Sequence, residues 1–82
     1  MAMNESAITS ALIDLWQEAL GVDAVDADDD FFDLGGNSIT AIRLIPLITE
    51  RLGVEPGVAD IFENPTPRSL ADALAGTGIR SA

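Results

Sequence analysis

Apolar residues recur at helical spacing in three stretches of the chain, and turn-forming residues separate these stretches. The first stretch follows Asn4-Glu5-Ser6, which offers capping residues and an early acid. Its apolar positions follow the i, i+4, i+7, i+11 pattern of one helix face. They are Ile8, Leu12, Leu15 and Ala19, with Trp16 and Leu20 beside them. The pattern predicts an amphipathic helix over residues 6–20 that ends at Gly21.

A second helix is predicted over residues 38–52, followed by Gly53 as its C-terminal signal. One face of this helix is assigned to the core and carries Ala41, Ile45, Ile48 and Leu52. The opposite face is assigned to solvent and carries Ile39, Thr40, Arg43, Pro46, Leu47 and Glu50. The bulky aliphatic residues on that face have two interpretations. They are either isolated exposed side chains, which soluble proteins commonly have, or part of a docking patch for a partner.

Pro46 lies in the interior of the second predicted helix. A proline there removes one backbone hydrogen bond and crowds the carbonyl of Ile42, at a cost of roughly 3 kcal/mol. We therefore predict a kink or local opening between Ile42 and Pro46, with a break into two shorter helices as the alternative. A bend around the core is favoured, because Pro46 falls on the solvent face.

The segment between these two helices, residues 22–37, is predicted to be a long loop. Its closely spaced aspartates disfavour regular structure, and its apolar residues can anchor it to the core. The aspartates are Asp26, Asp28, Asp29 and Asp30, and the anchors are Val25, Phe31, Phe32 and Leu34. Loops of this length in compact domains tend to be functional.

The last third of the chain predicts a short helix at residues 58–62 and a final helix that begins with Thr66 as N-cap and Pro67 at the first position. The buried stripe of the final helix is Leu70, Ala71, Ala73 and Leu74. Gly76-Thr77-Gly78 ends it, and residues 76–82 are expected to form a mobile tail. The fold class is thus an all-α bundle of three main helices and one short helix. Residues 1–82 form one domain with a core at about residues 6–75.

Composition excludes several classes of function. The 82 residues contain no cysteine or histidine, and the four basic residues are all arginine, so thiolate chemistry, disulfides and Schiff-base catalysis are excluded and a non-catalytic protein is expected. The formal net charge of −10 disfavours nucleic acid and anionic membranes as partners and favours basic protein surfaces. No apolar run approaches the ~20 residues of a membrane span, and the start lacks a signal-peptide pattern. We expect a cytoplasmic monomer.

Ser38 is the strongest candidate for a residue that is modified or takes part in chemistry. It follows Gly35-Gly36-Asn37 and opens the second predicted helix. Glycines allow another molecule to approach the backbone, and a helix start favours an anion such as a phosphate ester. The alternative is that Ser38 is only an N-cap, replaceable at a cost of about 1 kcal/mol. A phosphate-binding P-loop is excluded, because no Gly-Lys-Ser/Thr follows the glycines.

The wider string Asp30-Phe31-Phe32-Asp33-Leu34-Gly35-Gly36-Asn37-Ser38-Ile39 resembles the core motif of peptidyl carrier (thiolation) domains of nonribosomal peptide synthetases. The resemblance covers roughly residues 8–75, in the order and spacing of that family. It includes Leu15-Trp16, Leu20-Gly21-Val22, Arg51-Leu52-Gly53-Val54, Ile61-Phe62-Glu63-Asn64-Pro65-Thr66 and Ser69-Leu70-Ala71. Two residues differ from the family pattern: Asn37 stands where His or Asp is common, and Pro46 is unusual.

The resemblance implies that a phosphopantetheinyl transferase attaches 4′-phosphopantetheine from coenzyme A to Ser38, with Gly35, Gly36 and Asn37 as the surrounding loop. It also implies an adenylation enzyme or domain that loads an amino or aryl acid onto the thiol of this group as a thioester. Condensation, thioesterase or tailoring enzymes would then receive the cargo. A carrier without cysteine fits this scheme, because the prosthetic group supplies the thiol. Ile39, Arg43 and Leu47 are the residues expected to contribute to partner docking.

Three other functions stay open from the sequence. An acyl carrier for polyketide or fatty-acid synthesis would be loaded in the same way, although the double glycine favours a peptide-synthetase carrier. A helical interaction module would leave Ser38 unmodified. Calcium binding is the third: Asp26, Asp28 and Asp30 match positions 1, 3 and 5 of an EF-hand loop. However, Phe31 stands where that loop needs glycine, and Asn37 stands where it needs a bidentate glutamate.

Overall fold

The helices of this protein begin at residues with extended backbone, and most of them are capped by a side chain. The computed structural model describes residues 4–76, and within that range it contains four helices and no strand. They are α1 (Glu5–Leu20), α2 (Ser38–Leu52), α3 (Val58–Glu63) and α4 (Pro67–Ala75). The predicted all-α bundle is confirmed. The predicted tail beyond Gly76 lies outside the described residues.

The first helix starts one residue earlier than predicted, because Asn4 caps it. The side-chain oxygen of Asn4 accepts a hydrogen bond from the backbone N–H of Ala7 at 2.7 Å. At the other end, Gly21 adopts the left-handed conformation, with φ of 68°. Gly53 ends α2 in the same way. The predicted C-terminal signals of these two helices are confirmed.

The core forms where α1 packs against both α2 and α4, and α3 contacts α2 and α4. Its fully or nearly fully buried apolar residues are Ile8, Ala11, Leu12, Leu15, Trp16, Phe31, Ala41, Leu44, Ile48, Leu52, Ile61, Leu70, Ala71 and Leu74. The predicted core face of α2 omitted Leu44, which is buried, and included Ile45, which is only partly buried against the core. Because α2 contacts α1 on one side and α3 on another, its buried arc is rotated toward Leu44.

Pro46 does not break the second helix, which runs without interruption from Ser38 to Leu52. The alternative of two shorter helices is therefore wrong, and the kink stays a prediction. Both Pro46 and Ile42 are exposed. Water can therefore bond to the carbonyl that the proline leaves without a donor.

The segment of residues 22–37 contains turns and no helix, as predicted. Phe31 is fully buried, and the other three predicted anchors pack partly buried against the core. Two backbone hydrogen bonds join this loop to the start of α4: Phe31 N–H to Pro65 O at 2.8 Å and Arg68 N–H to Ala27 O at 2.9 Å. Among the described residues, no helix is long and apolar enough to span a membrane.

Candidate functional site

Ser38 is the first residue of α2, and its side chain is exposed. Among the described residues, its hydroxyl makes no hydrogen bond to any backbone or side-chain group. Solvent or another protein therefore has direct access to this hydroxyl. At the N-cap position, by contrast, a serine oxygen would accept a hydrogen bond from a backbone N–H of the first turn.

Asn37, and not Ser38, is the N-cap of this helix. The Oδ1 atom of Asn37 accepts hydrogen bonds from the backbone N–H and the hydroxyl of Thr40, each at 3.0 Å. The interpretation of Ser38 as a mere N-cap is therefore wrong. The sequence held a signal for this assignment, because asparagine ranks with serine and aspartate as a cap residue and stands one position earlier.

The first turn of α2 keeps two open hydrogen-bond donors. Within the described part of the chain, the N–H groups of Ser38 and Ile39 have no acceptor, while that of Thr40 is bound by the cap. No acidic residue lies in this turn. The partial positive charge of the helix start is thus unopposed by a carboxylate of the same turn, which favours an anion attached at Ser38.

The two glycines before the site have different roles. Gly35 has a φ of 104°, in the left-handed half of the map, and nothing lies within 4 Å of where a Cβ would stand. Gly36 has no such backbone requirement. A Cβ on Gly36 would collide with the ring carbons of Phe31 and stand 2.7 Å from its carbonyl oxygen. The expectation that the glycines admit another molecule stays a prediction. At Gly36, Phe31 of the same chain fills the space that a side chain would occupy, so the absence of a Cβ has a reason within the fold.

The aspartates of the loop bind groups of their own chain. Asp28 forms an ion pair with Arg68 at 2.7 Å, and the hydrogen bond from the guanidinium lowers the pKa of the Asp28 carboxyl below its usual range. Oδ1 of Asp30 accepts the N–H groups of Phe32 and Asp33 at 2.8 and 3.2 Å. Within residues 4–76, no group of three or more acidic, histidine or cysteine side chains is arranged to hold a metal ion. The aspartate run serves the turns of the loop and its attachment to α4.

The exposed face of α2 beside Ser38 differs in part from the predicted one. Ile39 is 70% exposed and Arg43 is also exposed, as expected. Leu47 is partly buried against the core, so its placement on the exposed face was wrong. It lines a shallow groove with Leu15, Glu18, Glu50 and Arg51.

Three exposed apolar side chains were missed from the sequence. Ile42 is 56% exposed and lies one turn after Ile39, while Phe62 and Val58 of α3 are 49% and 37% exposed. The ring of Phe62 stacks on that of Phe32 with centroids 5.0 Å apart. Helical spacing places Ile42 on the same face as Ile39 and Arg43, so its exposure could have been predicted. No sequence signal shows that Val58 and Phe62 of α3 are exposed.

Residues 10–74 match the model of a family described as "Phosphopantetheine attachment site". The chain is 45% identical over 71 residues to a dimodular nonribosomal peptide synthase of Bacillus subtilis, covering 87% of this chain and 3% of that protein. It is 37% identical over 79 residues to surfactin synthase subunit 2 of the same organism, covering 96% of this chain and 2% of that protein. The chain thus spans only a small fraction of these curated relatives.

A solved structure shares the fold. It contains the phosphopantetheine transferase Sfp in complex with coenzyme A and a peptidyl carrier protein. The match has a TM-score of 0.81 and 28% identity, and it covers 93% of this chain and 99% of that chain.

This chain belongs to the phosphopantetheine attachment site family, whose members carry the group covalently. One of the relatives reported above is a nonribosomal peptide synthase, and the solved structure contains a peptidyl carrier protein.

The residues present fit the group of this family. The fit rests on an exposed hydroxyl with no hydrogen-bond partner among the described residues and on the two free N–H groups of the same helix turn. Ser38 would hold the group through a phosphodiester, and the N–H groups of Ser38 and Ile39 would face its negative charge. When bound, phosphopantetheine supplies a terminal thiol, which this chain lacks because it has no cysteine.

Proposed function

We propose that this chain is a non-catalytic peptidyl carrier domain. It would hold an aminoacyl, aryl or peptidyl group as a thioester on 4′-phosphopantetheine attached to Ser38. The observation that carries the proposal is the exposed Ser38 hydroxyl, which is unbonded within the described residues because Asn37 caps the helix in its place. The family match supports the cofactor, and the geometry favours Ser38 as its attachment residue.

The chain's part in the loading step is limited to presenting a nucleophile. The Ser38 hydroxyl would attack the phosphorus that bears the pantetheine arm in the pyrophosphate of coenzyme A and lose its proton. The P–O–P bond would break, and the nucleotide half, adenosine 3′,5′-bisphosphate, would leave. Among the described residues, no carboxylate accepts a hydrogen bond from that hydroxyl, and the sequence contains no histidine or lysine. This structure therefore offers no proton acceptor bonded to the hydroxyl, and we propose that the transferase supplies one. Once attached, the phosphodiester would lie against the open N–H groups of the first turn.

The proposed partners are a phosphopantetheinyl transferase, an adenylation enzyme or domain, and condensation, thioesterase or tailoring enzymes. The net charge of −10 favours encounter with basic surfaces on these proteins. We propose that the protein is a monomer located in the cytoplasm. We add Ile42 to the candidate docking residues Ile39 and Arg43. A larger fraction of Ile42 is exposed than of Leu47, which is partly buried.

Intact-mass measurement tests the attachment residue. The purified chain is incubated with coenzyme A and a phosphopantetheinyl transferase of broad specificity. The wild-type chain is expected to gain one phosphopantetheine group, and Ser38→Ala is expected to gain none. Ser10→Ala, which removes an exposed serine from α1, is the matched control and should be loaded fully. A wild-type chain that stays at its apo mass beside a converted known carrier would refute the proposal.

The docking residues are tested by the same loading reaction. Ile39→Glu and Ile42→Glu place a charge on the exposed face of α2, and Ala75→Glu places one on the exposed end of α4 as a control. If this face contacts the transferase, the first two variants raise KM and the third does not. Equal KM values for all variants would remove these residues from the proposed surface.

The nature of the cargo separates the peptidyl carrier from the acyl carrier alternative. The holo-protein is isolated from its producing cells, and the thioester-bound group is identified by mass spectrometry. An aminoacyl, aryl or peptidyl group supports the proposal, whereas a polyketide or fatty-acyl chain supports the alternative.

A further inference from the structure

Gly36 lies in close contact with Phe31, an earlier residue of the same loop. A Cβ at position 36 would stand 2.5 Å from Cε2 of Phe31 and 2.7 Å from its carbonyl oxygen, closer than real Cβ contacts. The N–H of Gly36 also donates to that carbonyl at 3.0 Å. The Phe31 ring thus lies directly against the backbone two residues before Ser38.

Phe31 cannot move easily to relieve a collision. Its side chain is fully buried, and its ring packs edge-to-face on Trp16 and on Phe32, with centroids 5.4 Å apart in each case. Its N–H is bound to Pro65 O at 2.8 Å. Close packing on several sides makes such a ring resistant to displacement. Strain introduced at Gly36 would therefore fall on the exposed residues that follow it.

The position of Ser38 depends on this short stretch of backbone. Its own side chain makes no hydrogen bond within the described residues, so the place of the hydroxyl follows from the packing of α2 in the core, the path of the preceding loop and the Asn37 cap. Asn37 follows Gly36 directly, with φ of −144° and ψ of −177°. A shift at Gly36 would thus be transmitted to both the cap and the serine.

We propose that Phe31 is a positioning residue for Ser38, acting through the packing of its ring against Gly36. This inference rests on the proposed role of Ser38 as the attachment residue. Gly36 is then needed to allow the internal contact with Phe31, and not to admit the partner enzyme. The contact places the Ser38 hydroxyl where the transferase can align it with coenzyme A, so that its loss would lower kcat more than it raises KM.

The test compares the loading kinetics of Gly36→Ala, Phe31→Leu and the double variant, with coenzyme A and a transferase of broad specificity. Gly36→Ala is expected to lower kcat by about 10- to 100-fold with a small change in KM, as misplaced reacting groups do. Phe31→Leu removes the colliding Cε2 atom and replaces the rigid ring with a short branched side chain that can rotate away. The double variant is therefore expected to turn over faster than Gly36→Ala alone. Recovery would be partial, because the carbonyl of Phe31 still crowds the new methyl group.

Gly57→Ala is the matched control. Gly57 has a φ of −84°, and its Cβ would stand 3.6 Å from Asp60, an ordinary contact. This variant should keep the wild-type kcat. Amide NMR spectra supply a second readout: Gly36→Ala should shift the signals of Ser38, Ile39 and Thr40 and leave those of α1 unchanged.

Two kinetic results would overturn the inference: a wild-type kcat for Gly36→Ala, or a double variant no faster than Gly36→Ala. If Gly36→Ala does not fold, Phe31→Leu alone is compared with Phe32→Leu, whose ring is not among the nearest atoms to a Gly36 Cβ. Equal kcat values for these two variants would also overturn it. Loading of Ser38→Ala would instead refute the proposed function itself, so the two failures are distinguishable.

Discussion

The starts of α2 and α4 both carry a serine in the first turn, yet they leave its hydroxyl in opposite states. At α4, the Ser69 hydroxyl hydrogen-bonds to the N–H, hydroxyl and carbonyl of Thr66, at 2.8 to 3.2 Å. At α2, the Ser38 hydroxyl has no partner among the described residues. Helix position alone therefore does not identify a reactive serine.

The backbone donors differ in the same way. In α4, Pro67 has no N–H, Arg68 N–H is bound to Ala27 O, and Ser69 N–H is bound to Thr66 Oγ1. All donors of that turn are thus satisfied by the protein itself. In α2, two donors stay open within the described residues. At the start of α4, the protein itself satisfies the backbone donors. At the start of α2, two backbone donors stay available to an anion.

The largest expected effect separates the two serines. Ser69→Ala should be loaded with phosphopantetheine at the wild-type rate, whereas Ser38→Ala should not be loaded although Ser69 is still present. Intact mass after incubation with the transferase and coenzyme A measures both. Loading of Ser38→Ala at Ser69 would show that the hydrogen-bonded hydroxyl at the start of α4 is also accessible to the transferase. It would contradict the distinction between the two helix starts.

The second effect concerns Phe31, whose backbone bonds to both helix starts. Its N–H donates to the residue before the Thr66 cap, and its carbonyl accepts from the residue before the Asn37 cap. Because the Phe31 ring is fully buried between these two starts, Phe31→Ala should lower the free energy of unfolding by about 3–5 kcal/mol, as for other buried Phe→Ala changes. Urea denaturation measures this loss. Phe32→Ala is the control, and it should cost less because Phe32 is only partly buried.

The third effect compares the two caps. Thr66→Ala and Asn37→Ala should each cost about 0.5–2 kcal/mol of unfolding free energy. The loss at Thr66 should be larger, because its reciprocal bonds with Ser69 are partly buried, whereas water can replace the exposed Asn37 side chain. Urea denaturation midpoints measure the costs, and Thr66→Ser and Asn37→Ser should restore most of them. A larger loss for Asn37→Ala would contradict this ranking.

The smallest effect comes from the ion pair that joins the loop to α4. Arg68 lowers the pKa of Asp28 in the folded protein, so the pair stabilises the fold at pH values above the usual aspartate range. That contribution should be lost as the pH falls below about 4 and through the lowered pKa of Asp28. Both side chains are exposed, so the effect should be small.

Thermal midpoints between neutral and acid pH measure this effect in the wild type and in Asp28→Asn. The difference between the two proteins should be present at neutral pH and vanish on acidification. A constant difference over the whole range would contradict the prediction.

Much of the local structure could be predicted from the sequence. The bounds of α2, the glycine ends of α1 and α2, and the Thr66-Pro67 start of α4 were all predicted correctly. These features depend on backbone preferences and on bonds between residues a few positions apart. Such signals do not need knowledge of the other helices.

The candidate site was located from the sequence, but its internal arrangement was not. The string around Ser38 predicted the proposed attachment residue, whereas the capping role of Asn37 and the contact between Phe31 and Gly36 were missed. The cap follows a local rule, the preference for asparagine at the N-cap position. The Phe31 contact needed the ring to be fixed by Trp16 of another helix, which no spacing rule contains.

The sequence by itself determined where the helices begin and end and which serine has a carrier motif around it, because those properties are set by neighbours in the chain. The tertiary structure alone decided that Leu44 is buried, that Leu47 is partly buried and that Phe62 is exposed. Burial depends on which faces of the helices meet, and that choice is made by packing between residues far apart in the sequence.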